Sequence, residues 1–203
     1  MKIENFYQQL QALSKEKNTQ RIESFFLTSL EAANEERDYS SYLTICNELV
    51  LFYQNISAYE QAFQAIEDML LLLEELQLDD SEHFAAALIN AAAVYLNAGD
   101  DRQAYEYYRR VLGMLEQGCE VNATQYCIAL TGIGECFYRR QEYTQALTAY
   151  EKALQEMKTH FGENSGCAIL CENCATLCNI MGKESEKQQY LKMASEIKAK
   201  MES

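Results

Sequence analysis

A four-position signature recurs down this chain and narrows what it can fold into. An aromatic residue or Cys is followed nine positions later by Ala or a stand-in. An aromatic or apolar residue comes four positions after that, and a small or apolar one three further on. The clearest copies are Tyr95, Ala104, Tyr108, Val111 and Phe137, Ala146, Tyr150, Ala153, set 42 residues apart. Fainter copies start at Tyr53 and at Cys178, where Lys187 replaces the Ala. Self-similarity at such a period means a stack of like units, each too small to bury its apolar face without a neighbour.

Each unit reads as two helices. Leu88, Ala91, Ala92, Tyr95 and Leu96 recur at three- and four-residue steps and trace one apolar helix face. Asn97-Ala98-Gly99-Asp100-Asp101 ends it, with Gly99 suited to a left-handed turn and an Asp to capping the next helix. Ala104, Tyr107, Tyr108, Val111, Leu112 and Leu115 trace the second face. Small residues at 85–87 and 91–93 let two backbones approach, and Tyr95 and Tyr108 fill the remaining space. The next unit repeats this design, with Arg139-Arg140-Gln141-Glu142-Tyr143 as its turn. The first forty residues are a degenerate copy. The reading is therefore one all-α solenoid domain over 1–203, about ten helices in units of roughly 1–40, 41–80, 81–121, 122–163 and 164–203. The helix from Glu184 to Met201 has a thin apolar stripe of Tyr190, Leu191, Met193, Ala194 and Ile197 and a polar back, as expected where a final core face is shielded from water.

Composition agrees. The chain has no Pro and only 8 Gly, too few for the many turns of a β-sandwich or barrel. Its formal charge of −14 repels phosphate backbones and anionic lipid, so nucleic acid and membrane surfaces are not expected partners. A neutral or basic protein segment suits it better. No apolar run approaches the ~20 residues needed to cross a bilayer. Met1-Lys2-Ile3-Glu4-Asn5 lacks a signal peptide's apolar stretch, and eight Cys without such a signal suggest reduced thiols in a cytoplasm.

The signatures at Tyr95 and Phe137 resemble the tetratricopeptide repeat. The period of 42 is similar to that of kinesin light chains and related bacterial proteins. Ala87-Leu88-Ile89-Asn90-Ala91-Ala92-Ala93-Val94-Tyr95 resembles their first-helix string, and residues 145–154 their second. The chain lacks the family's Trp and closing Pro. The resemblance implies a right-handed superhelix of antiparallel helix pairs whose first helices line a concave, peptide-gripping groove. Carried onto this chain, the groove candidates are Asn47, Gln54, Asn90, Asn97, Thr131, Glu135, Tyr138, Arg139, Asn173 and Thr176. Asn90 matches the family's groove Asn best, with Asn173 as its counterpart in a later unit. An amide side chain can pair with a peptide backbone through both donor and acceptor. Ile89, Ala93, Leu96 and Ile128 would add apolar contact.

Other chemistry finds little support. Cys167, Cys171, Cys174 and Cys178 fall within about 60° of one another on a helix. The first and last stand about 16 Å apart, too far for one zinc with thiolates at ~2.3 Å. They take places where other units carry apolar residues, so core packing is the expected role, with a redox- or metal-responsive sensor as the rival. His83 and His160 form no pair, and no phosphate-cradling Gly loop is present. The expectation is a non-catalytic binding module with no cofactor or metal. Self-association is a further alternative, through the N-terminal pair where Phe25 and Phe26 are adjacent.

Overall fold

A computed structural model describes residues 3–202; Met1, Lys2 and Ser203, which the first and last units were read to include, lie outside the described residues. Among the described residues there are ten helices and no strand. By internal packing the chain divides into two compact units, Met1–Leu76 and Gln77–Ser203.

The first unit holds α1 (Ile3–Glu16), α2 (Thr19–Glu35), α3 (Tyr39–Asn55) and α4 (Tyr59–Glu75), each packed on the next. Its N-terminal pair is joined by aromatic rings. Phe6 stacks on Phe25 at 5.4 Å and meets Phe26 edge-on at 5.7 Å, and Phe26 lies 5.5 Å from Phe52 of α3. Phe26 is 1% exposed and Phe25 half-buried. The adjacent phenylalanines expected to offer a self-association surface are thus largely occupied inside their own unit.

The second unit stacks three hairpins: α5 (Glu82–Ala98) with α6 (Asp101–Glu116), α7 (Ala123–Arg139) with α8 (Tyr143–Phe161), and α9 (Ser165–Ile180) with α10 (Glu184–Glu202). Helix α7 packs on both α5 and α6, and α9 on α8. The starts of α5, α6, α7 and α9 are capped by Ser81, Asp100, Asn122 and Asn164 side chains, each accepting from a backbone N–H in the first turn. At Asn122 a full capping box forms with Gln125.

The 42-residue register also governs the turns. Ser57, Gly99 and Gln141 occupy one register and all have positive φ, at 58°, 87° and 62°. In each turn the following amide bonds back to the helix: Ala58 to Tyr53 O at 2.9 Å, Asp100 to Tyr95 O at 2.8 Å, Glu142 to Phe137 O at 2.9 Å. Only one of the three is glycine. A left-handed conformation costs an ordinary residue about 1–2 kcal/mol, offset in part by the larger unfolded-state entropy of glycine. Gln141→Gly is therefore expected to raise stability by about 0.5–1 kcal/mol, read as a shift in the denaturation midpoint.

Burial follows the repeat phase with two exceptions. Ala104, Tyr108, Val111, Ala146, Tyr150 and Ala153 are all buried. Tyr95 and Phe137, the leading aromatics of the two clear signatures, are only half-buried. Each instead lies against a tyrosine of α6, Tyr95 stacked on Tyr107 at 5.3 Å and Phe137 tilted on Tyr105 at 5.3 Å. Ala86 and Ala93 are likewise half-buried, while Ala85, Ala87, Ala91 and Ala92 form the close helix crossing. Among the described residues no helix is long and apolar enough to cross a membrane.

Candidate functional site

Helix α7 is tied to α5 near both ends by side chains that reach backbone carbonyls. Near its start, Gln125 Nε2 donates to Glu82 O at 2.6 Å. At its end, Arg139 Nη1 donates to Leu96 O at 2.6 Å, while its Nε donates to Glu135 Oε1 at 2.8 Å. Asp101 Oδ1 accepts no hydrogen bond among the described residues and depends on the Arg139 cation 3.8 Å away. Arg139, expected to grip a ligand, acts here as a strut between hairpins. Its hydrogen bond to Glu135 holds its pKa above the ordinary value.

This frame opens a cleft of about 420 Å³ over α7 and α9. Tyr108, Gly132, Tyr150 and Gly166 line it, together with exposed Ile128 on one side and exposed Ile169 on the other. Ile128 is 43% and Ile169 55% exposed, and together they give the cleft apolar walls. Thr131, Glu135 and Asn173 supply polar groups to the same cleft. A smaller pocket of about 130 Å³ shares Glu135, Tyr150 and Asn173 with it and adds Tyr138 and Thr176.

Glycine makes the cleft possible. A Cβ on Gly132 would sit 2.3 Å from the Tyr108 ring, and one on Gly134 2.6 Å from the Tyr150 ring. Two tyrosines can therefore lie flat on α7 only because it carries glycine at both points. Tyr150 donates its hydroxyl hydrogen bond to Glu135 Oε2 at 3.1 Å. Burial, then the neighbouring Glu135 carboxylate, raises the Tyr150 pKa; burial pushes Tyr108 up to about 12. Both rings are neutral hydrogen-bonding surfaces at ordinary pH.

Five of the ten candidates thus gather at one place: Thr131, Glu135, Tyr138, Asn173 and Thr176. Asn90 and Asn97 do not line this cleft, and Asn47 and Gln54 belong to the first unit. The caps Ser81 and Asn164 and the turn glycines Gly99 and Gly182 are each 83 residues apart, the same offset that separates Asn90 from Asn173. Of the expected apolar contacts, Leu96 and Ile128 line the cleft, whereas Ile89 is buried and Ala93 is not part of the lining. Ile169 was missed, although the register that pairs Phe137 with Cys178 puts it opposite Ile128 and it stands one helical turn before Asn173.

A second cleft of about 350 Å³ lies between α6, α7 and α8, floored by Leu130, Ile133 and Ala149. The same register in the preceding hairpin carries Tyr107 in place of Ala149, and that ring is stacked on Tyr95.

The four stripe cysteines face the core of α8, α9 and α10, all at most 0% exposed and unpaired. Burial raises the Cys171, Cys174 and Cys178 pKa values, and pushes Cys46 from 9.0 up to about 12 and Cys136 up to about 11. That opposes thiolate chemistry. Among the described residues no three His, Cys, Asp or Glu side chains are grouped to hold a metal ion. Native protein is expected to react with a thiol reagent first at half-buried Cys119, the other seven reacting only on unfolding. Because these thiols are protonated longer folded than unfolded, stability should be intact below the ordinary thiol pKa. It should fall as pH rises from about 9 toward the raised values. Denaturant midpoints measured across that range check the slope.

The tetratricopeptide repeat family matches residues 87–118 and 129–156, which hold the clearer signatures. The chain carries tetratricopeptide repeats over these two stretches. Solved structures extend the likeness in fold to nearly its full length. BtubC (BKLC) from P. vanneervenii is 19% identical with a TM-score of 0.85, over 99% of this chain and 81% of that one. The nearly identical TPR-like repeats of a Podosopora anserina kinesin light chain are 13% identical with a TM-score of 0.74, over 98% and 96%. MamA is 18% identical with a TM-score of 0.62, over 89% and 93%. A comparison with curated proteins found no match. The fold is the all-α, tetratricopeptide-like solenoid of antiparallel helix pairs, and each repeat supplies one first helix and one second helix.

Proposed function

We propose that this chain is a non-catalytic protein-interaction scaffold that takes a peptide or helix of a partner in the cleft over α7 and α9. One observation supports the reading above the rest: two exposed isoleucines, Ile128 and Ile169, flank a concavity that also holds Thr131 and Asn173. Apolar walls give affinity by losing water, and a few fixed polar groups give register. The Asn173 amide can both donate to and accept from a peptide backbone. Tying α7 to α5 through Gln125 and Arg139 holds the first-helix face in place before a ligand arrives, which lowers the ordering cost of binding.

The test is selection of short peptides from a phage-displayed random library against the full chain, followed by affinity measurement on Ile169→Glu. Ile169 is exposed, so this variant should fold normally, shown by an unchanged unfolding midpoint. A peptide bound in the cleft should lose about tenfold or more in affinity, the loss of one well-packed apolar contact. Undiminished binding would place the ligand elsewhere.

A further inference from the structure

The cleft contains a single formal charge. Of the side chains lining it and the polar pocket that continues from it, only Glu135 is a carboxylic acid; no Lys, Arg or His takes part in either lining. Arg139 reaches Glu135 Oε1 from outside that lining, at 2.8 Å, and Tyr150 donates to Oε2 at 3.1 Å. Each carboxylate oxygen therefore has one donor and keeps acceptor capacity. The two contacts also fix the carboxylate, so a ligand need not order it.

The surroundings select among ligand side chains. Arg139 pairs with Glu135 at 2.8 Å and lies 3.8 Å from Asp101, so two carboxylates share one cation and a partner carboxylate still meets net negative charge. A purely apolar side chain would match the isoleucine walls but would strip water from the spare Glu135 acceptors without replacing it. A long cationic side chain satisfies both parts. Its methylene stem lies along apolar surface while its head seeks charge. The chain's formal charge of −14 steers basic segments toward it as well.

We infer that the segment taken by this cleft carries an arginine or lysine, whose stem runs along the apolar wall and whose cation pairs with Glu135. A neighbouring apolar side chain of the same segment meets Ile128 and Ile169. The inference rests on the cleft being a peptide site, and it specifies which peptides.

The library selection tests it directly. Selected peptides should share an Arg or Lys beside an apolar residue. Replacing that Arg by citrulline, or Lys by norleucine, should weaken binding about ten- to a hundredfold, the range for a hydrogen bond to a charged group. Glu135→Gln should weaken the parent peptide by a similar factor and leave the citrulline or norleucine peptide unchanged. Glutamine still accepts from Tyr150, and an unaltered unfolding midpoint checks that the variant is intact. Added salt should weaken the parent peptide more than the neutral one. Peptides that lose affinity on Ile169→Glu yet lack a cation, or ignore Glu135→Gln, would overturn the cation while leaving the cleft as a peptide site. Peptides indifferent to Ile169→Glu, or no selected peptides at all, would overturn both.

Discussion

Gly132→Ala is expected to destabilise the second unit by about 2 kcal/mol, although alanine is the better helix former. The intrinsic gain is about 1 kcal/mol for Gly to Ala inside a helix. Against it stands a new Cβ 2.3 Å from Cε2 and Cζ of Tyr108. That ring is buried against α7 and cannot move without disturbing the cleft it lines. Overpacking of this kind costs about 1–3 kcal/mol and occasionally more, and a contact this short belongs at the upper end. The melting midpoint should fall by roughly 4–8 °C, at about 2–4 °C per kcal/mol for a chain of this size. Gly113→Ala is the control. Gly113 also lies inside a helix, α6, but a Cβ there would meet nothing within 4 Å, so the propensity gain should appear alone as a rise of about 0.5–1 kcal/mol. Opposite signs for one chemical change would separate packing from propensity. If Gly132→Ala were neutral or stabilising, the flat seating of Tyr108 on α7 would be wrong.

Removing residues 184–203 should have a larger effect. Helix α10 covers α9 with Ala194 and Ile197, both buried, and with half-buried Tyr190 and Met193. Full burial of a side chain the size of Ile197 is worth about 1.5–3 kcal/mol, so losing the whole stripe approaches the net stability of an ordinary domain. The ion pairs across this interface add little. Lys198 with Glu172 at 2.5 Å and Lys200 with Glu163 at 2.7 Å are both largely exposed, and such pairs contribute roughly 0–1 kcal/mol each. Without α10, Cys174, Leu177 and Cys178 face water. Thiol labelling of the shortened chain should then capture Cys174 and Cys178 at rates orders of magnitude above those of the full chain. The sample should also associate as its apolar α9 face seeks cover. Continued protection of both thiols would mean that α10 is not what shields them.

Helix boundaries were legible because local chemistry determines them. Gly99 and Asp100 mark a turn within five residues of sequence, and the structure places a left-handed Gly99 and an Asp100 cap there. The cysteine stripe was legible for the same reason, since the spacing of Cys167, Cys171, Cys174 and Cys178 sets a helix face and all four are buried. What the repeat signature misjudged was contact across units. Tyr95 and Phe137 repeat in phase, yet their burial depends on Tyr107 and Tyr105 of α6, which the period does not specify. Arg139 shows the same limit. Its exposed, polar character was visible, but its partner at the Leu96 carbonyl lies 43 residues away.

The cleft itself was half legible. Thr131, Glu135 and Asn173 lie on the polar side of regularly patterned first helices, where the family resemblance implied a groove. Ile169 and the paired Gly132 and Tyr108 were not found, because an exposed isoleucine looks like core in sequence and a glycine under a ring is a meeting of two helices.

Amide chemical-shift mapping of the full chain, titrated with a library-selected peptide, tests the cleft most directly. The largest changes should gather at Thr131, Glu135, Ile169 and Asn173, with little change in α10. Changes concentrated on α10, on the α6–α8 surface around Ala149, or within α1 to α4 would contradict a binding site over α7 and α9.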